Sequence, residues 1–435
     1  MFENEVLLGT CLDRLKEFPA ECIDSYVSDV PYGLGGKVPT PEQIVAYLQG
    51  ADLVTGDFMG KDWDIPSVPV WKEIYRVLKP GSYAVVFGGT RTFDLVSMGI
   101  RMAGFECRDT IAHEFPQVEL PILQWCYASG MPKSRNIGKA LATKGTPIEG
   151  EIGTGLKPAW EPILLYRKLF KGTVSENVLE HGTGGLNIGV SRVKHASLGD
   201  FETHKKQVEA IKAKGGQRGK SWKNSSDLSG AEDVKDGGRW PANFVLTHAD
   251  CQEVGGVWQC VPGCPVAELD TQSGNRPSTL TGRADPSRSH SHPGTAFNSN
   301  STFLGERTYH SNVYSDSGGA SRFFKRFDGT PFRYVPKANR LEAGCGEFEV
   351  EHPTLKPTEL MRYLINLVTP PGGIVLDSHC GSGSTCHAAY IDRYRYVGIE
   401  RDKASWEEAC RRMEVVKRVV GGDHMQEDLF EEFMS

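Results

Sequence analysis

The stretch "VLDSHCGSGSTCHAA", Val375–Ala389, decides how this chain folds. The apolar lead "GGIVL" reads as a buried strand that closes on Asp377, and "STCHAA" opens a helix. Between them Gly381-Ser382-Gly383 makes a turn in which a nucleotide can approach the backbone closely. Farther on, "RYVGIE" reads as a second strand ending on Glu400, 23 residues past Asp377, where an acid commonly grips ribose hydroxyls. A Gly-Ser-Gly turn alone is equally an ordinary tight turn. The two acids at strand ends are what favour a nucleotide site.

The residues that are missing narrow the ligand. The loop has no Lys-Ser/Thr pair of a phosphate-binding loop and no third spaced glycine. A cofactor with adenosine but no phosphate fits better, and S-adenosylmethionine is the common one. Asp377 would lie near its methionine ammonium, Gly381 and Gly383 beneath it, and Glu400 against the ribose.

Outward from this loop the chain alternates strands and helices. "PTELMRYLINLV" and "KASWEEACRRMEVV" read as helices around it, and "EDLFEEFMS" as an acidic tail. The first ~125 residues repeat the style. "IDSYVSDV" and "SYAVVFGG" read as strands, and "TFDLVSMGIRMAG" as a helix. "VWKEIYRVLKPG" reads as a helix with Trp71, Ile74, Tyr75 and Leu78 on one face, stopped by Pro80-Gly81. This order predicts an α/β fold with a mostly parallel sheet and crossover helices. Residues 130–350 differ, with many Gly, Ser, Asn and His and isolated strands at "EPILLYRK", "ANFVLTH" and "FRYVPK". Thr271–Ser321 has few large aliphatic side chains and reads as long loops.

The first strand ends in "SDVPYG", where Asp29-Val30-Pro31-Tyr32 suits chemistry on a base amine. Such an amine is a poor nucleophile because its lone pair is delocalised into the ring. Two acceptors aimed at its N–H groups, the Asp29 carboxylate and the carbonyl of Val30, favour a pyramidal nitrogen. Pro31 stiffens the turn, and Tyr32 offers a ring on which a flipped base stacks. The plain alternative is a strand-end turn, for which Asp and Pro-Tyr-Gly are typical.

Composition bounds the setting. Of 435 residues, 39% are hydrophobic and 24% charged, as in a soluble globular protein, and no apolar run is long enough for a membrane helix. Eleven cysteines at irregular spacing, with an acidic N-terminus in place of a secretory signal, point to reduced thiols and a cytoplasmic location. The net charge of −6 is unevenly spread: residues 191–345 hold 21 Lys and Arg against 16 acids, and the rest 28 against 39. A basic middle in an acidic scaffold allows a polyanion-binding module.

Taken together, the two motifs make the chain resemble the site-specific DNA amino-methyltransferases in which the catalytic tetrapeptide precedes the cofactor loop. "LLGTCLDRLKEFP", "GLKPAWEPILLYRK", "ENVLEHGTGGLNIG" and "EHPTLKPTELMRYLINLVTPPGGIVLD" resemble segments of phage and prophage members. The resemblance implies a Rossmann-like, S-adenosylmethionine-dependent methyltransferase sheet with a large irregular target-recognition insertion. It divides the chain into a catalytic half (1–125), a DNA-binding region (126–350), a cofactor half (351–420) and an acidic tail (421–435). It implies duplex DNA as partner, with Lys205, Lys206, Arg218, Lys220, Lys223, Arg322, Lys325 and Arg326 as phosphate contacts. Asp29 leans towards adenine N6, because Ser heads the tetrapeptide more often in cytosine-N4 enzymes. An impaired or altered-cofactor DNA-binding relative is the other reading. A role in restriction-modification or in a phage fits the family. The sequence allows a homodimer and names no partner nuclease.

Three departures from the family pattern stand out. Thr10 stands where an acid usually receives the cofactor adenine amine, Ser378-His379 stands for Pro-Phe, and Val30 for a proline. Valine keeps the carbonyl that the chemistry asks for. A separate cluster, His248, Cys251, Cys260 and Cys264, has the spacing to hold a structural zinc, although four unrelated residues would look the same.

Overall fold

The structure, a computed structural model, describes residues 2–33, 38–53, 64–108, 122–126, 143, 160–193, 205, 238, 241–247, 251–254, 257–261, 264–273, 276–279, 313–318, 325–327, 350 and 355–434. Its strands are β1 (Glu5–Leu8), β2 (Ile23–Asp29), β3 (Leu78–Phe87), β4 (Glu106–Cys107), β5 (Ile122–Cys126), β6 (Trp160–Arg167) and β7 (Phe244–Thr247). They continue with β8 (Gln252–Val254), β9 (Val257–Gln259), β10 (Arg276–Thr279), β11 (Val313–Gly318), β12 (Lys325–Phe327), β13 (Ile374–Asp377) and β14 (Arg395–Glu400). The helices are α1 (Cys11–Leu15), α2 (Pro41–Leu48), α3 (Val68–Val77), α4 (Phe93–Met102) and α5 (Val174–His181). After them come α6 (Ile188–Ser191), α7 (Pro265–Ser273), α8 (Thr358–Val368), α9 (Ser384–Ile391) and α10 (Lys403–Met434).

One sheet runs in the order β1-β14-β13-β2-β3-β6-β5-β7-β12, with β4 also paired to β6. From β1 to β3 every pairing is parallel. The strand β6 runs antiparallel to β3, β4 and β5, and parallel pairing resumes from β5 through β7 to β12. The predicted α/β class with a mostly parallel sheet is the one observed.

Helices on both faces explain why the central strands are apolar on alternate and adjacent positions alike. Val27, Val85, Phe87 and Val375 share a core cluster with Leu360, Leu364 and Leu367 of α8. Tyr26, Val86, Leu376 and Ile399 belong to a second cluster with Trp71 and Ile74 of α3. Burying a side chain such as Leu364 contributes about 1.5–3 kcal/mol.

The strands carrying Asp29 and Asp377 are neighbours although far apart in the chain. Val375 pairs with Ser25 and Leu376 with Tyr26. The hydroxyls of Ser25 and Thr369 lie 2.8 Å apart, and the Ile374 amide donates to Asp24 Oδ2 at 2.8 Å. These bonds fix the register in which the two acidic ends come together.

The structure differs from the sequence reading at three places. Helix α3 ends at Val77, and Pro80-Gly81 lies inside β3 instead of stopping the helix. The β2–β3 register slips between Ile23 and Ser25, so an irregularity absorbs the Pro-Gly pair. Thr271–Ser321 is not all loop, since β10 and β11 pair antiparallel across it. The acidic tail continues the helix α10 as far as Met434. "FRYVPK" lies outside the described residues.

The chain clusters into two compact units, 1–192 with 240–268 and 323–435, and 193–239 with 269–322. The first holds the sheet, including β6, β7 and β12 from within 126–350. The second includes the β10–β11 pair. Among the described residues, no helix is long and apolar enough to cross a membrane.

Candidate active site

Asp29 closes β2, at the carboxyl end of the parallel sheet where open α/β folds bind ligands. The next residue, Val30, is 2% exposed and joins the core cluster of Tyr26 and Trp71, so the valine is used for packing. The chain then turns through Pro31 to Tyr32, whose carbonyl accepts from Thr92 Oγ1 at 2.6 Å. A Cβ at Gly89 would lie 3.0 Å from Tyr32 Cβ, tighter than ordinary contact, so glycine there suits the close approach of the two turns. All four tetrapeptide residues are placed, and the turn is held from the β3 side.

Two residues absent from the sequence-derived site complete it. Lys356, just before α8, sets its Nζ 2.8 Å from Asp29 Oδ2, 3.1 Å from the Tyr32 hydroxyl and 3.3 Å from Glu161 Oε1. Glu161, near the start of β6, also takes a hydrogen bond from the Tyr32 hydroxyl. That same hydroxyl is 2.8 Å from Asp29 Oδ1. The side chains of Lys356 and Glu161 are 4% and 3% exposed, whereas that of Asp29 is 22% exposed. The second Glu161 oxygen, Oε2, is buried without a hydrogen-bond partner among the described residues. Burial pushes the Glu161 carboxyl up, against the pull of Lys356. Burial also works against the Lys356 ammonium, but Asp29 and Glu161 outweigh it and raise its pKa. Burial raises the Tyr32 phenol well above its usual range, and both carboxylates add to the effect. The sequence did carry a signal, a lone charge at the start of an apolar strand ("WEPILLY") and another at the start of an apolar helix ("LKPTELM").

The residues that the sequence reading places on the cofactor side assemble next door. Asp377 is 3% exposed and accepts from Ser28 Oγ at 2.6 Å, Thr385 Oγ1 at 2.5 Å and the His379 amide at 3.1 Å. Ser28 directly precedes Asp29, so one hydroxyl ties the two acidic strand ends together. Burial pushes the Asp377 carboxyl up to about 6, although the Ser28 and Thr385 hydroxyls pull the other way. Gly381 and Gly383 have φ of 51° and 80°, left-handed values that carry the chain from β13 into α9. Ser382 lies buried between them. Glu400 clasps this turn, accepting from the Gly381 amide and the Asp402 amide at 2.8 Å each.

The departures from the family pattern are accommodated by hydrogen bonds. Ser378 Oγ lies 2.8 Å from the Tyr26 hydroxyl and 2.9 Å from His379 Nδ1. Burial, aided by the Arg401 charge, pushes His379 down to about 3, so its ring is neutral at pH 7. Thr10 caps α1, accepting from the Asp13 amide at 3.3 Å and donating to Asp13 Oδ2 at 2.6 Å. It follows β1, which pairs with β14 so that Leu8 stands opposite Glu400.

Away from this site, the sulfur atoms of Cys251, Cys260 and Cys264 lie within 4.8 Å of one another. His248 lies outside the described residues. So do Lys206, Arg218, Lys220, Lys223 and Arg322, while Lys325 and Arg326 sit in β12 and Lys205 is exposed.

A parallel sheet with acids at adjacent strand ends and a glycine turn between them defines a doubly wound α/β class with its ligand site at the strand termini. Within that class, a family model described as DNA methylase, of the N6/N4 amino-methyltransferase type, matches residues 23–411. The chain belongs to that family. The Type II methyltransferase M.HindIII of Haemophilus influenzae is 23% identical over 203 residues, 40% of this chain and 62% of that protein. The Type II methyltransferase M.EcaI of Enterobacter cloacae is 31% identical over 78 residues, 18% of this chain and 17% of that protein. Both matches span less than two thirds of the relative. Among solved structures, the cytosine-N4-specific PvuII DNA methyltransferase aligns over 97% of this chain and 94% of its own. Its TM-score of 0.40 at 13% identity is too low to bear on the fold.

Proposed function

We propose that this chain transfers a methyl group from S-adenosylmethionine to the N6 amine of adenine in duplex DNA at a specific sequence. The observation that carries the reading is that the strands ending in Asp29 and Asp377 are paired neighbours, with Ser28, next to Asp29, donating to Asp377. S-adenosylmethionine supplies an electrophilic methyl on a sulfonium. On its side, Asp377 offers a buried carboxylate for an ammonium, and the Gly381–Gly383 turn leaves open backbone. Glu400 stands where a ribose would be gripped. No lysine or arginine occurs in residues 377–389, which suits a ligand lacking phosphate.

On the other side, Asp29 and the carbonyl of Val30 accept from the base amine, and Tyr32 stacks on the flipped base. The nitrogen is aimed in line at the methyl, so positioning supplies most of the rate. Adenine is favoured over cytosine because aspartate heads the tetrapeptide. The basic stretch within 126–350 grips the duplex. Incubation with duplex DNA and methyl-labelled cofactor, followed by nucleoside mass spectrometry, gives labelled N6-methyladenine. Labelled N4-methylcytosine would replace the adenine assignment, and DNA binding without product would replace the enzyme by a silent relative.

A structural zinc completes this reading. Zinc–sulfur bonds of ~2.3 Å in a tetrahedron set sulfurs ~3.8 Å apart, which the Cys251–Cys260–Cys264 cluster accommodates. His248 supplies the fourth ligand. Elemental analysis should find about one zinc per chain, lost in Cys264→Ser and weakened in His248→Ala. A metal-free native chain would rule the site out.

A further inference from the structure

Two carboxylates and a phenol meet around Lys356 Nζ: Asp29, Glu161 and Tyr32. The lysine also lies 4.9 Å from the Phe87 ring centre and 5.4 Å from that of Tyr32, so aromatic faces border it too. Burying three charges is expensive, and hydrophobic side chains of similar volume would pack at lower cost. Stability alone is therefore a poor reason for this cluster. With both carboxylates ionised, its charges sum to minus one: two carboxylates against one ammonium.

We propose that Glu161 and Lys356 are positioning residues for methyl transfer at Asp29, acting as a pair. The inference rests on the reading of this site as an amine methyltransferase. Lys356 fixes the Oδ2 of Asp29 through the 2.8 Å ion pair. Alone, however, its ammonium would cancel the charge of Asp29. Glu161 offsets the lysine, so the pocket stays net negative where the base nitrogen turns positive. In the reaction the nitrogen lone pair forms the N–C bond, and the C–S bond breaks with its electron pair left on sulfur. The positive charge thus passes from sulfur to nitrogen. The nitrogen then gives its surplus proton to the Asp29 carboxylate, the most exposed of the three ionisable groups, and from there to solvent.

Charge arithmetic separates this role from a merely structural one. Glu161→Gln brings the cluster to zero, Lys356→Met brings it to minus two, and the double variant returns it to minus one. Glu161→Gln should lower kcat by roughly 10–100-fold with little change in the KM for cofactor. The double variant should recover at least about tenfold of that loss, which a structural role would not predict. The groups facing Asp29 are Lys356, Tyr32 and Glu161, with the Asp377 charge beyond them. Without the lysine, two like-charged carboxylates face one another and one holds a proton more tightly. The acid limb of the kcat/KM profile of Lys356→Met should therefore move up by roughly one unit or more. Cofactor affinity of each variant, measured in the same preparations, reads loss of fold separately. The inference is overturned if the unaltered chain methylates DNA and Glu161→Gln matches its kcat. A double variant no better than the worse single one would overturn it too. A native chain that binds DNA and cofactor yet transfers nothing would overturn the parent reading instead.

Discussion

Asp29→Ala should abolish the proposed methyl transfer, lowering the rate by roughly 10³-fold or more, while cofactor affinity should stay close to that of the native chain. The carboxylate is an acceptor that gains strength as the amine nitrogen becomes cationic, so its loss falls on the transition state. The cofactor pocket is spared because Asp377 keeps Ser28, Thr385 and its own backbone partners. The fold is spared too, because Lys356 and Glu161 remain within 3.3 Å as a neutral pair. Single-turnover transfer with labelled cofactor, beside calorimetric cofactor binding, measures both halves. Retained transfer would remove Asp29 from the chemistry, and lost cofactor binding would show that it supports the whole pocket.

The second large effect belongs to Asp377. Asp377→Asn should weaken cofactor binding by roughly 10–100-fold, the size expected for losing one charge-assisted hydrogen bond to an ammonium. The native chain should show a matching pH dependence. Burial places this carboxyl at about 6, so at pH 7 it is mostly ionised and ready for a cation. Below about pH 6 it is protonated first, and affinity should fall by about tenfold per pH unit until other groups titrate. The sign for folding is the reverse. A carboxyl whose folded pKa lies above its unfolded value favours the folded state most at low pH, and that contribution is lost as pH rises through about 6. Cofactor titrations between pH 5 and pH 8, repeated on Asp377→Asn, test the assignment. A native affinity that is flat across that range would sink it.

The parts of the fold legible in the sequence were those written locally. The buried runs of β2, β13 and β14, the glycine turn and the amphipathic α3 and α8 each carry their own pattern. Pro80-Gly81 misled because the same pair that stops a helix also shapes an irregular strand pairing, and only the β2 register tells them apart. The acidic strand ends were visible because a carboxylate after an apolar run is conspicuous. Glu161 and Lys356 were not visible as a pair. They are 195 residues apart, and each passes as the lead-in to its own strand or helix. Their meaning lies in a contact that only the sheet order β2-β3-β6 and the docking of α8 create. Ser378 gave the opposite lesson. It departs from the family pattern in the cofactor loop, yet its hydroxyl meets both Tyr26 and His379.

The distance along the chain between β2 and β13 also sets a timetable. On the ribosome, β2 can pair with β3 soon after both emerge, but its other edge must wait. Its partner follows some 350 residues later, the separation of Asp24 and Ile374. At roughly 5–20 residues per second the nascent chain carries that open edge for tens of seconds. A bare, apolar strand edge is a template for the wrong neighbour. Ser25 and Ser28, which end up bonded to Thr369 and Asp377, make the waiting strand less greasy than its neighbours. The two hydroxyls that bond Thr369 and Asp377 in the folded chain are thus also polar positions on the strand that waits for its second partner.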